Sequence, residues 1–348
     1  MDYTLESAVH APGRAWGDPP VTGRLRLLPE DFQVRELPLL EPGGEGEHVW
    51  LLIRKRQVNT EAVVRQLARC AGIASAKVSY AGLKDRQAVA EQWFSVHLPG
   101  REEPDWNALN SQTLTVLRHA RHPRKLRRGA LRGNAFTIRV RNLGGDCALF
   151  EQRLAQVAAG GVPNYFGIQR FGRGGSNLQT AGRLFARRAG RLSRAARGLA
   201  FSAARSWLFN QVLARRVAEH SWDHALPGEA LQLQGSHSFF IADSVDPSLE
   251  QRLQAMDVHP TGPLFGQGET PVRGACRRLE EECLLPHEAW CRGLITAGLA
   301  QARRATRLPV GALRWEWPEA DCIELHFHLP PGGYATSVLR ELLHDTDH

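Results

Sequence analysis

Residues 81–86 read Ala-Gly-Leu-Lys-Asp-Arg and place one carboxylate, Asp85, between two cations, Lys84 and Arg86, in a stretch that reads as a tight loop. Opposite charge within a few ångströms favours the ionised form of an acid, so the arrangement suits a base or a nucleophile. The same six residues also fit a solvated turn, whose surface ion pair contributes at most about 1 kcal/mol. The rest of the chain has to decide between the two.

Other chemistries find less support. His220 and His224 stand at helical spacing with Asp223 between them, but no third ligand follows nearby, and a surface helix position accounts for them. His326 and His328 share a strand face and could reach a phosphate or a metal as readily as solvent. The six cysteines (Cys70, Cys147, Cys276, Cys283, Cys291, Cys322) form no Cys-x-x-Cys pair, which speaks against a zinc knuckle and fits free thiols in a reducing cytoplasm. No Gly-x-Ser-x-Gly element marks a serine nucleophile, and the glycines at 172–175 lack the Gly-Lys-Ser/Thr of a P-loop. What remains is carboxylate chemistry with no metal and no obvious cofactor.

Charge points to the substrate class. The chain carries a formal net charge of +8 and a pI near 9.6, a balance that favours an acidic polymer over a small neutral substrate. From residue 152 to residue 218 there are twelve arginines and no Asp or Glu. Only Lys55, Lys77, Lys84 and Lys125 are lysines; a GC-rich coding bias explains that without function, and arginine is in any case the better phosphate fork. The densest positive segment is 118–132, Arg-His-Ala-Arg-His-Pro-Arg-Lys-Leu-Arg-Arg-Gly-Ala-Leu-Arg, read as phosphate-contacting or as a solvated basic loop.

The elements that must position these groups follow from periodicity. Alternation predicts strands at 31–37 and 48–54, separated by the Pro-Gly-Gly-Glu-Gly turn at 42–46. A helix follows, capped by Asn59 or Thr60, with Val63, Val64, Leu67, Ala68 and Ala71 on one face and Gly72 as terminator. Short strands at 77–80 and 92–98 put Asp85 on a strand-to-strand connection, where functional groups are commonly displayed. A polar linker spans 100–112, and Gly133-Asn134-Ala135-Phe136 leads into a strand at 137–141, on which Phe136 also fits ordinary core. Residues 160–306 read as a second, helix-rich domain, after which strands return at 313–317 and 322–329 and a short helix occupies 336–343. Strands first, helices in the middle and strands last make an α/β (α+β) sheet domain interrupted by an insertion, its first and last segments pairing in space. No run approaches the roughly 18 apolar residues of a membrane span, and residues 1–6 lack a basic-then-apolar leader pattern, so a soluble, cytoplasmic protein is expected.

These blocks together resemble the TruD-type tRNA pseudouridine(13) synthases. The likeness runs through Pro29-Glu30-Asp31-Phe32, Gly44-Glu45-Gly46-Glu47-His48, the 81–86 loop with Glu91-Gln92-Trp93, and segments 118–136, 162–177, 202–211 and 329–342, which is most of the chain. It implies isomerisation of uridine 13 of tRNA to pseudouridine, with no cofactor and no metal; no protein partner is implied, and a monomer is expected. Asp85 takes the place of the family's catalytic carboxylate, acting on the sugar carbon or on a sugar proton, and Lys84 that of its neighbour. Phe32, Asn134 and Tyr334 match positions lining the uridine pocket, where the family usually has Phe in place of Tyr334; Phe136 follows in the same block. Arg86, Arg124, Lys125, Arg127 and Arg128 are expected on the RNA backbone. The resemblance further implies a mixed-sheet pseudouridine synthase catalytic domain, 1–159 and 307–348, interrupted by an inserted TRUD domain, 160–306, with RNA in the cleft between them. Two other readings predict different behaviour: a magnesium-dependent RNA nuclease using Glu30, Asp31, Glu36 and Asp85, and a non-catalytic RNA-binding protein.

Overall fold

The computed structural model describes residues 13–346, so the leader reading at residues 1–6 lies outside the described residues. In chain order the elements are β1 (Val21–Leu25), β2 (Phe32–Pro38), β3 (His48–Arg56), α1 (Thr60–Cys70), β4 (Val78–Tyr80), β5 (Val89–His97), β6 (Leu114–His122), β7 (Leu131–Gly145) and α2 (Cys147–Gly160). Then come β8 (Val162–Pro163), α3 (Ser176–Phe185), α4 (Arg194–Ala218), β9 (Glu229–Leu233), β10 (Phe239–Ala242), α5 (Pro247–Gln254), β11 (Val258–Leu264), α6 (Gly274–Leu284), α7 (Glu288–Thr296), β12 (Ala302–Ala305) and β13 (Arg307–Leu308). The chain closes with β14 (Gly311–Glu319), β15 (Cys322–Leu329), α8 (Ala335–Leu342) and β16 (Leu343–Asp345).

These elements form two compact units. One comprises Pro20–Glu151, Val310–Gly332 and the end of the chain from Leu343; the other comprises Gln152–Pro309 together with Gly333–Leu342 and the segment before Pro20. The insertion expected at 160–306 falls within Gln152–Pro309, and the short segments 13–19 and 333–342 pack with it.

The first unit is built on a ten-stranded mixed sheet with the main order β14-β15-β7-β2-β5-β3-β6. Its first and last strands pair, β1 running parallel to β16 with Val21 beside Leu343. The close approach of β7 to β15 requires Gly133, where a Cβ would sit 2.4 Å from the Leu329 carbonyl oxygen. Helix α1 covers one sheet face through Val63, Val64, Leu67 and Ala68, which pack on Val49, Leu51, Ile53, Phe94 and Val96. Gly72 ends the turn after it at φ +60°, as glycine does at little steric cost. Asn59 makes no side-chain capping bond; the Thr60 hydroxyl donates to Gln92 Oε1 instead.

One expectation changes. The basic run 118–132 is not one loop, because residues up to His122 belong to β6, an edge strand paired with β3. Two of its arginines are neutralised locally, Arg118 by Glu41 at 2.6 Å and Arg121 by Glu103 at 2.9 Å. The second unit is helix-rich and carries strands as well: helices α3, α4, α6 and α7 accompany a four-stranded sheet, β10-β9-β11-β12. The helical arginines and alanines of 176–218 dominate the composition there and mask short strands whose alternation is interrupted by Gly, Pro and Ser. The core of this unit gathers Tyr165, Phe171, Leu178, Trp207, Leu208, Phe209, Leu213 and Leu294. Among the described residues, no helix is long and apolar enough to cross a membrane.

Candidate active site

The strand period explains why polar groups appear inside the sheet unit. Partners in register lie on the same face, so Val34 beside Ala90, Ala90 beside Lys55 and Gln92 beside Ile53, and Glu36 beside Asn134 set Glu36, Lys55, Gln92 and Asn134 on one face. The loop between β4 and β5 lies over three of them. The Lys55 ammonium, fully buried, donates to the carbonyls of Asp85 at 2.8 Å and Val58 at 2.8 Å, with that of Lys84 at 3.4 Å. Gln92 Nε2 donates to the Gly82 carbonyl at 2.5 Å, and the Lys84 amide donates to the Thr60 hydroxyl at 3.2 Å. Glu36 holds the Lys84 ammonium at 2.7 Å, and its second oxygen accepts from the Trp93 amide at 2.8 Å. Burial pushes the Lys55 ammonium down to about 8, against the opposing pull of the Asp85 charge and with help from the Lys84 charge.

The flanking-cation reading of the loop therefore needs revision. Lys84 is directed at Glu36 and Arg86 is exposed; the cation that faces the Asp85 carboxylate is Arg26, whose guanidinium lies 3.4 Å from Oδ2. The Asp85 side chain keeps 42% of its surface exposed, while its backbone is fixed by the contacts above. Such a loop presents a carboxylate from a rigid base, as a reacting group requires.

Arg26 follows β1 at φ +58°, a left-handed conformation that a non-glycine residue holds at a cost of about 1–3 kcal/mol when its surroundings dictate it. Its guanidinium carbon sits 4.2 Å from the centroid of the Phe32 ring, a cation–π contact. Phe32 is 3% exposed and meets Phe136 edge to face at 6.2 Å; Phe136 in turn stacks on Phe327 at 5.3 Å. Both phenylalanines thus belong to the packed floor of the sheet. Asn134 is half-buried, and its buried Oδ1 has no hydrogen-bond partner among the described residues, so one acceptor on this face is left open.

After β6 the basic segment continues as a short connection. Arg124, Lys125, Arg127 and Arg128 are exposed. Leu126 is buried among them, packed with Trp50, Ala81, Trp93 and Leu131. The Gly129 amide donates to the Ala81 carbonyl at 2.8 Å, which ties this segment to the start of the Asp85 loop.

Tyr334 belongs to the other unit, immediately before α8, where its carbonyl accepts from the Ser337 amide at 3.0 Å. Close by in that unit, Arg304 lies 4.1 Å over the Phe166 ring and donates to Asn164 Oδ1 at 2.5 Å, with Arg170 5.3 Å from the same ring. Burial brings Arg304 down to about 10, a shift that Tyr334 opposes and the Arg170 charge reinforces.

The four acids of the nuclease reading do not converge. Glu30 pairs with Arg56, Asp31 with Arg141, Glu36 with Lys84 and Asp85 with Arg26. Among the described residues, the side chains grouped as metal ligands would be are Glu316, Glu324 and His326 on β14 and β15, where Arg139 already occupies Glu324 at 2.6 Å. His328, the other strand histidine, is exposed, as are His220 and His224, the latter against Asp223 at 2.7 Å.

Sequence reasoning missed Arg26, Lys55 and Gln92, and placed Glu36 only as a metal ligand. For Lys55 and Glu36 a signal existed: each continues an alternating apolar series, Val49-Leu51-Ile53-Lys55 and Phe32-Val34-Glu36, so each is a charge written at an inward position. Arg26 carries no such signal, because it stands in an irregular turn.

A family model described as tRNA pseudouridine synthase D (TruD) matches residues 9–191 and 185–342. The tRNA pseudouridine synthase D of Nitrosococcus oceani is 52% identical over 330 residues, covering 94% of this chain and 92% of that protein. Its counterpart from Methylococcus capsulatus is 49% identical over 330 residues, covering 95% and 93%. In structure, the putative tRNA pseudouridine synthase D of Methanosarcina mazei superimposes with a TM-score of 0.75 at 20% identity, over 99% of this chain and 98% of that one, so the fold is shared. The chain belongs to the TruD family of pseudouridine synthases.

Proposed function

We propose that this protein isomerises uridine 13 of tRNA to pseudouridine, with Asp85 as the group that opens the glycosidic bond. The observation that carries the reading is the Asp85 carboxylate itself, half-exposed and faced by Arg26, on a loop whose backbone is fixed by Lys55, Gln92 and the Glu36–Lys84 pair. In the reaction the bond from uracil N1 to the sugar breaks, the base turns, a bond from C5 to the same sugar carbon forms, the hydrogen on C5 leaves as a proton, and N1 takes up a proton in its place. Asp85 acts on the sugar, at its carbon or at a proton, and Arg26 orients the carboxylate. No redox partner or metal is needed for that balance.

A uridine inside a folded tRNA has to be extruded, at a cost of a few kcal/mol. Stacking on an aromatic ring returns about 1–3 kcal/mol per base, and Tyr334 is assigned that task; Phe32 and Phe136 form the floor, and the open acceptor of Asn134 suits the uracil edge. Lys84 acts through Glu36 rather than on the base. Arg86, Arg124, Lys125, Arg127 and Arg128 hold phosphates. The sheet unit is the catalytic domain and the unit built on Gln152–Pro309 an RNA-contacting insert; the enzyme works in the cytoplasm as a monomer.

The test is tritium release from tRNA labelled at uracil C5, with wild type and Asp85→Asn. Wild type is expected to release label fully in EDTA and to leave the RNA at its original length, whereas the variant releases none above background. Undiminished release by Asp85→Asn would sink the assignment, and RNA cleavage abolished by EDTA would replace it with the nuclease reading. A tRNA lacking uridine at position 13 is expected to release no label from the wild type.

A further inference from the structure

A cavity of about 350 Å³ opens beside the Asp85 loop but does not include it. Its lining is Val78, Ser79 and Tyr80 of β4 on one side and Lys125, Leu126, Arg127 and Arg128 on the other. The volume stands at the lower end of small-molecule sites, about 300–1,000 Å³. Its chemistry is one aromatic face, three cations and no acid.

The backbone that carries the cations is anchored by the protein. Trp50 stacks on His122 at 4.2 Å, and its indole donates to the Arg124 carbonyl at 2.9 Å, which fixes the chain as it leaves β6. Leu126 is 2% exposed, so Lys125 and Arg127 on either side of it are turned outward. Among the described residues, none of Lys125, Arg127 and Arg128 is paired with an acid, in contrast to Arg118 and Arg121 on the strand before them. The Arg128 guanidinium stands 5.6 Å over the Tyr80 ring, and Tyr80 leans on Phe94 with centroids 6.2 Å apart. The Ser79 hydroxyl oxygen is buried with no hydrogen-bond partner among the described residues.

We infer that this cavity is a nucleotide pocket that takes an unpaired RNA residue flanking the reacting uridine, its base against Tyr80 and its phosphate on Lys125, Arg127 and Arg128. An aromatic face with arginine above it is how single-stranded nucleic acid is held without base-specific contacts. β4 ends at Tyr80 and the Asp85 loop begins at the next residue, so a nucleotide seated here fixes the register of the strand that delivers the uridine. The inference rests on the RNA-modifying reading above.

The experiment uses the full chain and unmodified tRNA. Affinity is measured against salt concentration for wild type, Tyr80→Leu, Tyr80→Phe and Arg128→Gln, together with the single-turnover rate at saturating RNA. Tyr80→Leu is expected to weaken binding about 5- to 160-fold with an unchanged salt slope, and Tyr80→Phe to bind within about twofold of wild type, because the ring face is kept. Arg128→Gln is expected to lower the slope of log K against log salt by about 0.7. The rate at saturation is expected to fall in Tyr80→Leu, because the register of the strand that delivers the uridine is loosened. Wild-type affinity in Tyr80→Leu and a wild-type slope in Arg128→Gln would overturn the pocket. Should Tyr80→Leu fail to fold, Arg128→Gln decides alone, a wild-type salt slope overturning the pocket. Tight wild-type binding without pseudouridine formation would instead count against the enzymatic reading alone.

Discussion

Lys84 stands next to Asp85 in the chain but gives its charge to Glu36, 2.7 Å away and almost fully buried. The neighbour in sequence is a structural anchor, and the neighbour in space, Arg26, is the electrostatic partner.

Removing one half of the anchor should cost more than removing a surface pair. Glu36→Gln leaves a buried ammonium without its counter-charge, a loss of about 3–5 kcal/mol for a buried pair. Urea unfolding is expected to show that loss, and Glu36→Gln combined with Lys84→Met is expected to recover part of it.

Arg26→Met removes both the charge opposite Asp85 and the cap on the Phe32 ring. A misplacement of about 1 Å in a reacting group costs roughly 100-fold in rate, so the single-turnover rate should fall by about that factor with tRNA affinity within threefold of wild type. Arg26→Lys keeps the charge and is expected to restore part of the rate; equal rates in the two variants would refute the orienting role.

Lys55 is held at about 8 in the fold against 10.5 for the free side chain. Between those values the unfolded chain binds more protons than the folded one, so stability rises with pH across the window. Relative to Lys55→Met, wild type should gain at most about 3 kcal/mol from pH 7 to pH 10.5, since a tenfold difference in proton affinity between the folded and unfolded chains corresponds to about 1.4 kcal/mol. Parallel pH profiles for the two proteins would remove the basis for a buried ammonium.

In the other unit His259 contributes to the acid limb; it is buried between Arg307, whose Nε donates to its Nδ1 at 3.2 Å, and Gln234, 2.7 Å from its Nε2. Burial, and then the Arg307 charge, bring this imidazole down to about 4 from 6.5. The unfolded chain binds the extra proton between those values, so the stabilisation is complete above pH 6.5 and lost as the pH falls to 4. His259→Asn should lessen acid destabilisation over that interval by at most about 3 kcal/mol, as measured by urea midpoints at pH 7 and pH 4.

How much of this was legible in the sequence depends on the range of the interaction. Strands β2, β3, β4, β5 and β15, helix α1 and helix α8 follow from periodicity, because each buries one face against neighbours of the same kind. β6 escaped because its charges are balanced by Glu41 and Glu103, which only the fold brings to it. The loop alone left Asp85 open between a reacting carboxylate and a solvated turn, and its assignment came from the family resemblance. Its partner was not legible: Arg26 lies 59 residues earlier in a turn with no pattern, and only the pairing of β1 with β7 and of β2 with β5 carries it there.

The pairing of β15 along β7, from Ile323 beside Val140 to Leu329 beside Asn134, has a consequence for synthesis. The edge of β7 that bears Asn134 has no partner until about 180 further residues have been made. At about 5–20 residues per second that interval lasts roughly 10–35 s, during which an unpaired strand edge is open to other chains. The nascent protein is therefore expected to be most vulnerable to aggregation, and most dependent on chaperones, while Gln152–Pro309 is being translated.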